Sequence, residues 1–184
     1  SIEDELRKIV EDIEREIKKL EDDLRRVSKD HRDEVRRILE KLKEHIERLE
    51  EDADRLKKAK EPKEKLDERV ERLKEHSKKV VKEARDRLRE LEERNRKIDR
   101  ELEEELKKLE KRVREEVKKV RTRKDTETVR EMIKRLEELV RRVKRRIEDV
   151  IRRNREVVDE SRRRIEKAIE DNERVLKKIE EEVK

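Results

Sequence analysis

The sequence predicts an all-α fold, a long antiparallel up-down-up bundle of three helices that is nearly untwisted. Three observations carry this. Apolar residues recur at steps of three or four along almost the whole chain. The recurrence breaks twice, in stretches with helix-starting chemistry. The three segments so defined have the same length, and short connections force neighbouring helices to run antiparallel.

The first segment, about 2–60, carries the stripe Ile2, Leu6, Ile9, Ile13, Ile17, Leu20, Leu24, Val27, His31, Val35, Ile38, Leu42, Ile46, Leu49, Ala53 and Leu56. Fifteen steps cover 54 residues. The mean step is therefore the 3.6-residue period of a straight helix, where a strict heptad would supercoil. Ser1, with Asp4 three residues on, forms a capping arrangement. The second segment, about 62–121, opens at Pro62, which fits a first helical turn because its missing N–H costs little there. Its stripe runs from Leu66 to Val120, again in fifteen steps, and includes Ser77, Asn95 and Ile98. The third segment, about 126–183, opens at Asp125 or, as the alternative cap, Thr126. Its stripe runs from Val129 to Val183 through Ile151, Asn154, Val158, Ser161 and Asn172. All three share an 18-residue repeat. Each helix is expected to be roughly 90 Å long, and the chain to form one domain over residues 1–184. With no glycine in the chain, a Lys or Arg near each turn is expected to take the left-handed conformation that usually ends a helix.

Composition alone is nearly neutral between this fold and a disordered polyampholyte. The chain is 64% charged and 28% hydrophobic, with a net charge of only +6. Natural globular domains are nearer 25% charged. Leu, Ile and Val together make about a quarter of the chain, just above the level typical of disorder, so the periodicity decides. The absence of cysteine excludes disulfides and thiolate metal sites. The absence of aromatics removes base-stacking platforms for single-stranded nucleic acid. No apolar run is long enough to span a membrane, and no targeting segment is expected at SIEDELRKIV; the sequence assigns no localisation.

Polar residues interrupt the stripes, and their placement is ordered. Antiparallel folding across the first turn makes facing residue numbers add to about 122, and across the second turn to about 249. Ser28, Asn95 and Asn154 then share one level, with His31 and Ser161 about a turn away. His45, His76, Ser77 and Asn172 share another. A buried amide without a partner costs about 1–3 kcal/mol, so each set reads as an interhelical hydrogen-bond network that fixes register, as a buried Asn does in a coiled coil. Val27 and Ile46 take the central stripe positions, which puts Ser28, His45 and His76 at its flank, half exposed.

Sharper chemical readings weaken on inspection. His45 and His76 could ligate a metal, but zinc takes three or four N, S or O ligands at about 2.0–2.3 Å. Only Ser77 and Asn172 are near, and both are poor ligands. Ser77 with either histidine lacks an oxyanion hole, an orienting acid and a pocket. No catalytic residue, metal or cofactor is therefore expected. The basic run VRRVKRRIEDVIRRNR at 140–155 suggests nucleic acid, yet acids are interleaved throughout, as on a solvated ion-paired face. Weak, salt-sensitive polyanion binding through the second helix and the RTRK turn is the residual reading. The third helix has a flanking stripe, Met132, Leu139, Val150, Val157, Ala168 and Val175. It is expected to seal the core, with self-association through Met132, Leu139, Val150, Val157 and Val175 as the alternative.

Three equal helices, a common 18-residue period, Glu, Lys and Arg at nearly every exposed position, and polar layers registered across helices resemble a computationally designed, or de novo, helical bundle. More narrowly, the chain resembles a straight, parametrically generated three-helix bundle with buried hydrogen-bond networks. Glycine-free turns depart from common design practice. Spectrin repeats, the nearest natural comparison, normally carry core aromatics that are missing here. The resemblance covers the whole chain. It implies a monomeric structural scaffold with no enzymatic activity, no required partner, no membrane contact and no specific nucleic acid. The alternatives are a helix-binding interaction module and a charged spacer rod with weak polyanion binding.

Overall fold

A computed structural model describes residues 1–183. It is a three-helix bundle: α1 spans Ile2–Lys58, α2 Lys63–Arg123 and α3 Glu127–Val183, and no strand occurs among the described residues.

The helix ends follow from local chemistry. Ser1 caps α1: its Oγ accepts from Asp4 N at 3.3 Å and donates to Asp4 Oδ2 at 2.9 Å. The last turn of α1 tightens, with Ala59 N donating to Leu56 O at 3.3 Å. Pro62 stands one residue before α2 and not within its first turn, and its carbonyl accepts from Lys65 N and Leu66 N at 3.0 and 3.2 Å. At the second turn Thr126 is the cap and Asp125 is not. Thr126 Oγ1 accepts from Val129 N at 3.3 Å, while Asp125 pairs with Arg130 Nε at 2.9 Å. The expected left-handed Lys or Arg is corrected: no described residue has a positive φ. The tightened α1 end and the Pro62 and Thr126 starts make these turns with ordinary backbone.

Contacts group the chain into two units. Unit 1 contains Ser1–Lys29 and Arg94–Arg155. Its ion pairs fix the local directions. Glu5 meets Arg123 at 2.9 Å and Glu16 meets Arg112, so α1 and α2 run antiparallel. Glu14 meets Arg135 at 3.7 Å and Glu21 meets Arg146 at 2.9 Å, so α1 and α3 run parallel. The core is one apolar cluster that includes Leu6, Ile13, Leu24, Leu109, Val129, Leu136 and Ile147. Each fully buried Leu or Ile contributes about 1.5–3 kcal/mol of gross transfer free energy.

Unit 2 contains Asp30–Glu93 and the chain from Glu156 onward. Here too α1 and α3 are parallel: Ile38 and Leu42 cluster with Ile165 and Ile169, and further on Lys57 meets Glu182 at 2.9 Å. Arg162 grips Glu92 with two bonds, 2.9 and 3.0 Å, and Lys74 meets Glu180 at 2.6 Å, so α2 and α3 run antiparallel. Its core is divided. One cluster holds Ile38, Leu42, Ala84, Leu88, Ile165 and Ile169. Another holds Leu49, Leu56, Val70 and Ile179.

The flanking stripe of α3 is half-buried throughout. Met132, Leu139 and Val150 pack on the unit 1 core, and Ala168 and Val175 on the two clusters of unit 2. No large apolar side chain is fully exposed among the described residues. No described helix is long and apolar enough to cross a membrane.

Candidate functional site

Polar side chains buried in an apolar interior are the chemically distinctive feature of both units. In unit 1, Asn154 is 6% exposed and accepts a hydrogen bond from Ser28 Oγ at 3.1 Å on its Oδ1. Ser28 itself is half-buried, as its flanking position predicts. Asn95 is buried, but among the described residues no hydrogen bond joins it to Ser28 or Asn154. Register explains this. Glu5 opposite Arg123 and Glu16 opposite Arg112 place Asp99, one turn further along α2, level with Ser28. Asp99 also faces Arg155 of α3 at 3.9 Å, beside Asn154.

Asp99 is the residue that sequence reasoning missed. It is 5% exposed, while its neighbour Ile98, assigned to the stripe, is only half-buried. Burial raises its carboxyl above the usual carboxylate range; Arg155 opposes this and the negative Glu103 adds to it. Among the described residues its Oδ1 has no hydrogen-bond partner, and neither does Nδ2 of Asn154. The signal was available: Asn95, Asp99 and Leu102 satisfy steps of four and three as well as Asn95, Ile98 and Leu102 do.

Unit 2 holds the other predicted layer. His45 Nε2 lies 2.8 Å from Ser77 Oγ, joining α1 to α2. His76 stacks edge-on to His45, with ring centroids 5.3 Å apart and planes at 65°. Asn172 is 1% exposed, and the parallel pairing of Lys57 with Glu182 sets it level with His45. Its Oδ1 finds no hydrogen-bond partner among the described residues. The flank assignment is corrected for His45, which is buried while Ile46 is half-buried; His76 is exposed. Leu42, His45 and Leu49 form the buried ridge, a three-four step that Leu42, Ile46 and Leu49 imitate.

His45 is held below the ordinary imidazole value by burial first, then by His76 and Arg48, with Asp52 opposing. The hydroxyl proton of Ser77 sets the tautomer. If Ser77 donates to Nε2, His45 carries its proton on Nδ1. If Nε2–H donates, the Ser77 proton is left for another acceptor.

His31 and Ser161 are both buried in unit 2, yet no hydrogen bond joins them. Ser161 Oγ donates to the Val157 carbonyl of its own helix at 2.6 Å. His31 Nε2 has no partner among the described residues, and burial lowers its pKa.

Comparison with known proteins follows the architecture. The chain superposes on a solved structure described as a "Computationally designed three helix bundle", with a TM-score of 0.77 and 19% identity, over 99% of this chain and 92% of that one. At that identity the likeness is one of fold. No protein-family model and no curated protein matches the sequence.

A groove in unit 2 between α1 and α3 has a volume of about 480 Å³. Val35, Leu39 and Val157 form its floor, and Arg36, Lys43 and Arg164 stand among the charged residues of its rim. No group of three or more His, Cys, Asp or Glu that could enclose a metal ion occurs among the described residues.

Proposed function

We propose that this chain is a computationally designed structural scaffold without enzymatic activity, whose buried polar groups specify helix register. The observation that carries the reading is the His45–Ser77 bond, buried at 2.8 Å between two helices, with Asn172 buried level with it on the third. Such groups contribute little net stability, since folding only exchanges their bonds to water for bonds within the protein. What they contribute is a penalty on every other alignment: a slipped helix strands each of them in apolar surroundings. The equal helices and the bundle likeness support the same reading. On this reading the scaffold is a monomer and a single domain over residues 1–184.

A second reading, an interaction module or polyanion-binding rod, draws on the basic-rimmed groove of unit 2. Light scattering at low and high salt, with and without duplex DNA, separates the two. The scaffold gives one-chain mass in all four conditions. A mass that rises with DNA at low salt only supports the polyanion binder, and a DNA-independent dimer supports self-association through α3.

A further inference from the structure

His45 and His76 are brought together by two different helices, 31 positions apart in the chain. Imidazole nitrogen is a preferred donor for Cu²⁺, Ni²⁺ and Zn²⁺. A metal–nitrogen bond of about 2.0–2.1 Å sets an ion roughly 3 Å from each ring centre, so two rings on adjacent positions of one ion stand about 5 Å apart. The observed centroid separation is 5.3 Å.

The surroundings of His45 fit a ligand. A metal-bound imidazole is usually oriented by a hydrogen bond from its other nitrogen. With Nε2–H donating to Ser77 Oγ at 2.8 Å, the lone pair of His45 is left on Nδ1. The depressed basicity of His45 keeps the ring in the neutral form that a metal requires. His76 is exposed, so water has access to the remaining coordination positions.

We propose that His45 and His76 form an open two-imidazole site for a divalent late-transition ion, Cu²⁺ above all, that bridges α1 and α2. It differs from the closed zinc centre excluded by ligand count: two protein nitrogens hold the ion and solvent completes its shell. Only the folded chain juxtaposes the two rings, so the ion stabilises the fold.

The test is urea unfolding at pH 7.5 in saturating CuCl₂ and in EDTA, with electron paramagnetic resonance of the copper-loaded protein. The parent is expected to unfold at higher urea with Cu²⁺ and to show two coupled imidazole nitrogens. His76→Ala leaves the buried layer intact and is expected to lower copper affinity by more than about tenfold, with one coupled nitrogen or none. An unchanged parent midpoint, an equal rise in His76→Ala, or a single coupled nitrogen in the parent overturns the proposal.

Discussion

The interior of unit 1 is a single apolar cluster, from Leu6 near its start to Ile151, whereas that of unit 2 is split in two, with His45 lying between Leu42 of one cluster and Leu49 of the other along α1. Both are built from the same three helices and the same few residue types. The difference is where polarity sits. Unit 1 keeps Ser28, Asn154, Asp99 and, a turn away, Asn95 at the edge of its cluster, while unit 2 inserts His45, Ser77 and Asn172 between its clusters. Apolar contacts alone are non-directional, and a stripe of similar Leu, Ile and Val side chains packs in several registers at nearly equal free energy. On the proposed reading, the unit with the divided apolar core is the one whose alignment leans most on its polar groups.

Truncation of the core tests this comparison with the largest effect. Ile13 is 0% exposed in the continuous cluster of unit 1, and Ile13→Ala should cost about 2–5 kcal/mol in urea unfolding. Leu49 is as well buried, but in a cluster of four buried residues, and Leu49→Ala should fall towards the lower end of the same range, about 2–3 kcal/mol. A larger loss at Leu49 would mean that the smaller cluster carries more of the stability than its extent suggests.

The polar layer of unit 2 should respond next. Ser77→Ala removes the partner of a buried ring nitrogen and should cost about 1–3 kcal/mol. Replacing His45, Ser77 and Asn172 together with Leu, Ala and Leu should cost less than the summed single changes and leave a protein at least as stable as the parent. A double-mutant cycle for His45 and Ser77 with no coupling energy would show that the bond does not act as a unit.

Unit 1 offers the opposite sign. Asp99 is a buried carboxylate with an orphaned oxygen and a partner, Arg155, that remains largely in solvent. Asp99→Leu should stabilise by about 1 kcal/mol at pH 7. A carboxyl whose folded pKa is raised binds its proton more tightly when folded, so its destabilising influence is present above the folded pKa and gone below the unfolded one. The gain from Asp99→Leu should therefore shrink as pH falls through the raised value towards the usual carboxylate range. A gain that does not vary with pH would place the cause in packing instead of charge.

The fold was legible because three stripes at 3.6-residue spacing leave no other element to assign, and the turns carried Pro62 and the Asp125–Thr126 pair as chemical marks. Site detail was less legible for a geometric reason. Steps of three and four are interchangeable within one turn, so His45 and Ile46, or Asp99 and Ile98, satisfy the stripe equally well. Which is buried depends on how each helix rolls against its neighbours. Hydrophobicity would have chosen Ile in both cases. Each time the polar residue is the more buried one.

The smallest expected effect is the response to mild acid, and it concerns unit 2, where both histidines of lowered pKa reside. His31 is lowered by burial alone. His45 is lowered by burial, His76 and Arg48, against Asp52. A base whose folded pKa lies below its unfolded value near 6.5 is protonated more readily in the unfolded chain. The stability tied to the neutral rings is therefore complete above about pH 6.5 and declines as pH falls through that value towards the folded pKa. Asp99 is common to the parent and the variant below, so the difference between them reads the two histidines alone. Urea unfolding at pH 7.5 and pH 5 should show the parent losing more stability than a His31→Gln, His45→Gln variant, whose amides keep hydrogen-bonding capacity without titrating. The parent should lose this stability in unit 2 first, seen as faster amide exchange in Asp30–Glu93 than in Arg94–Arg155 at pH 5 after correction for intrinsic rates. Equal losses in parent and variant would mean that both rings accept their protons as easily folded as unfolded, and the divided core of unit 2 would then owe nothing to their neutral state.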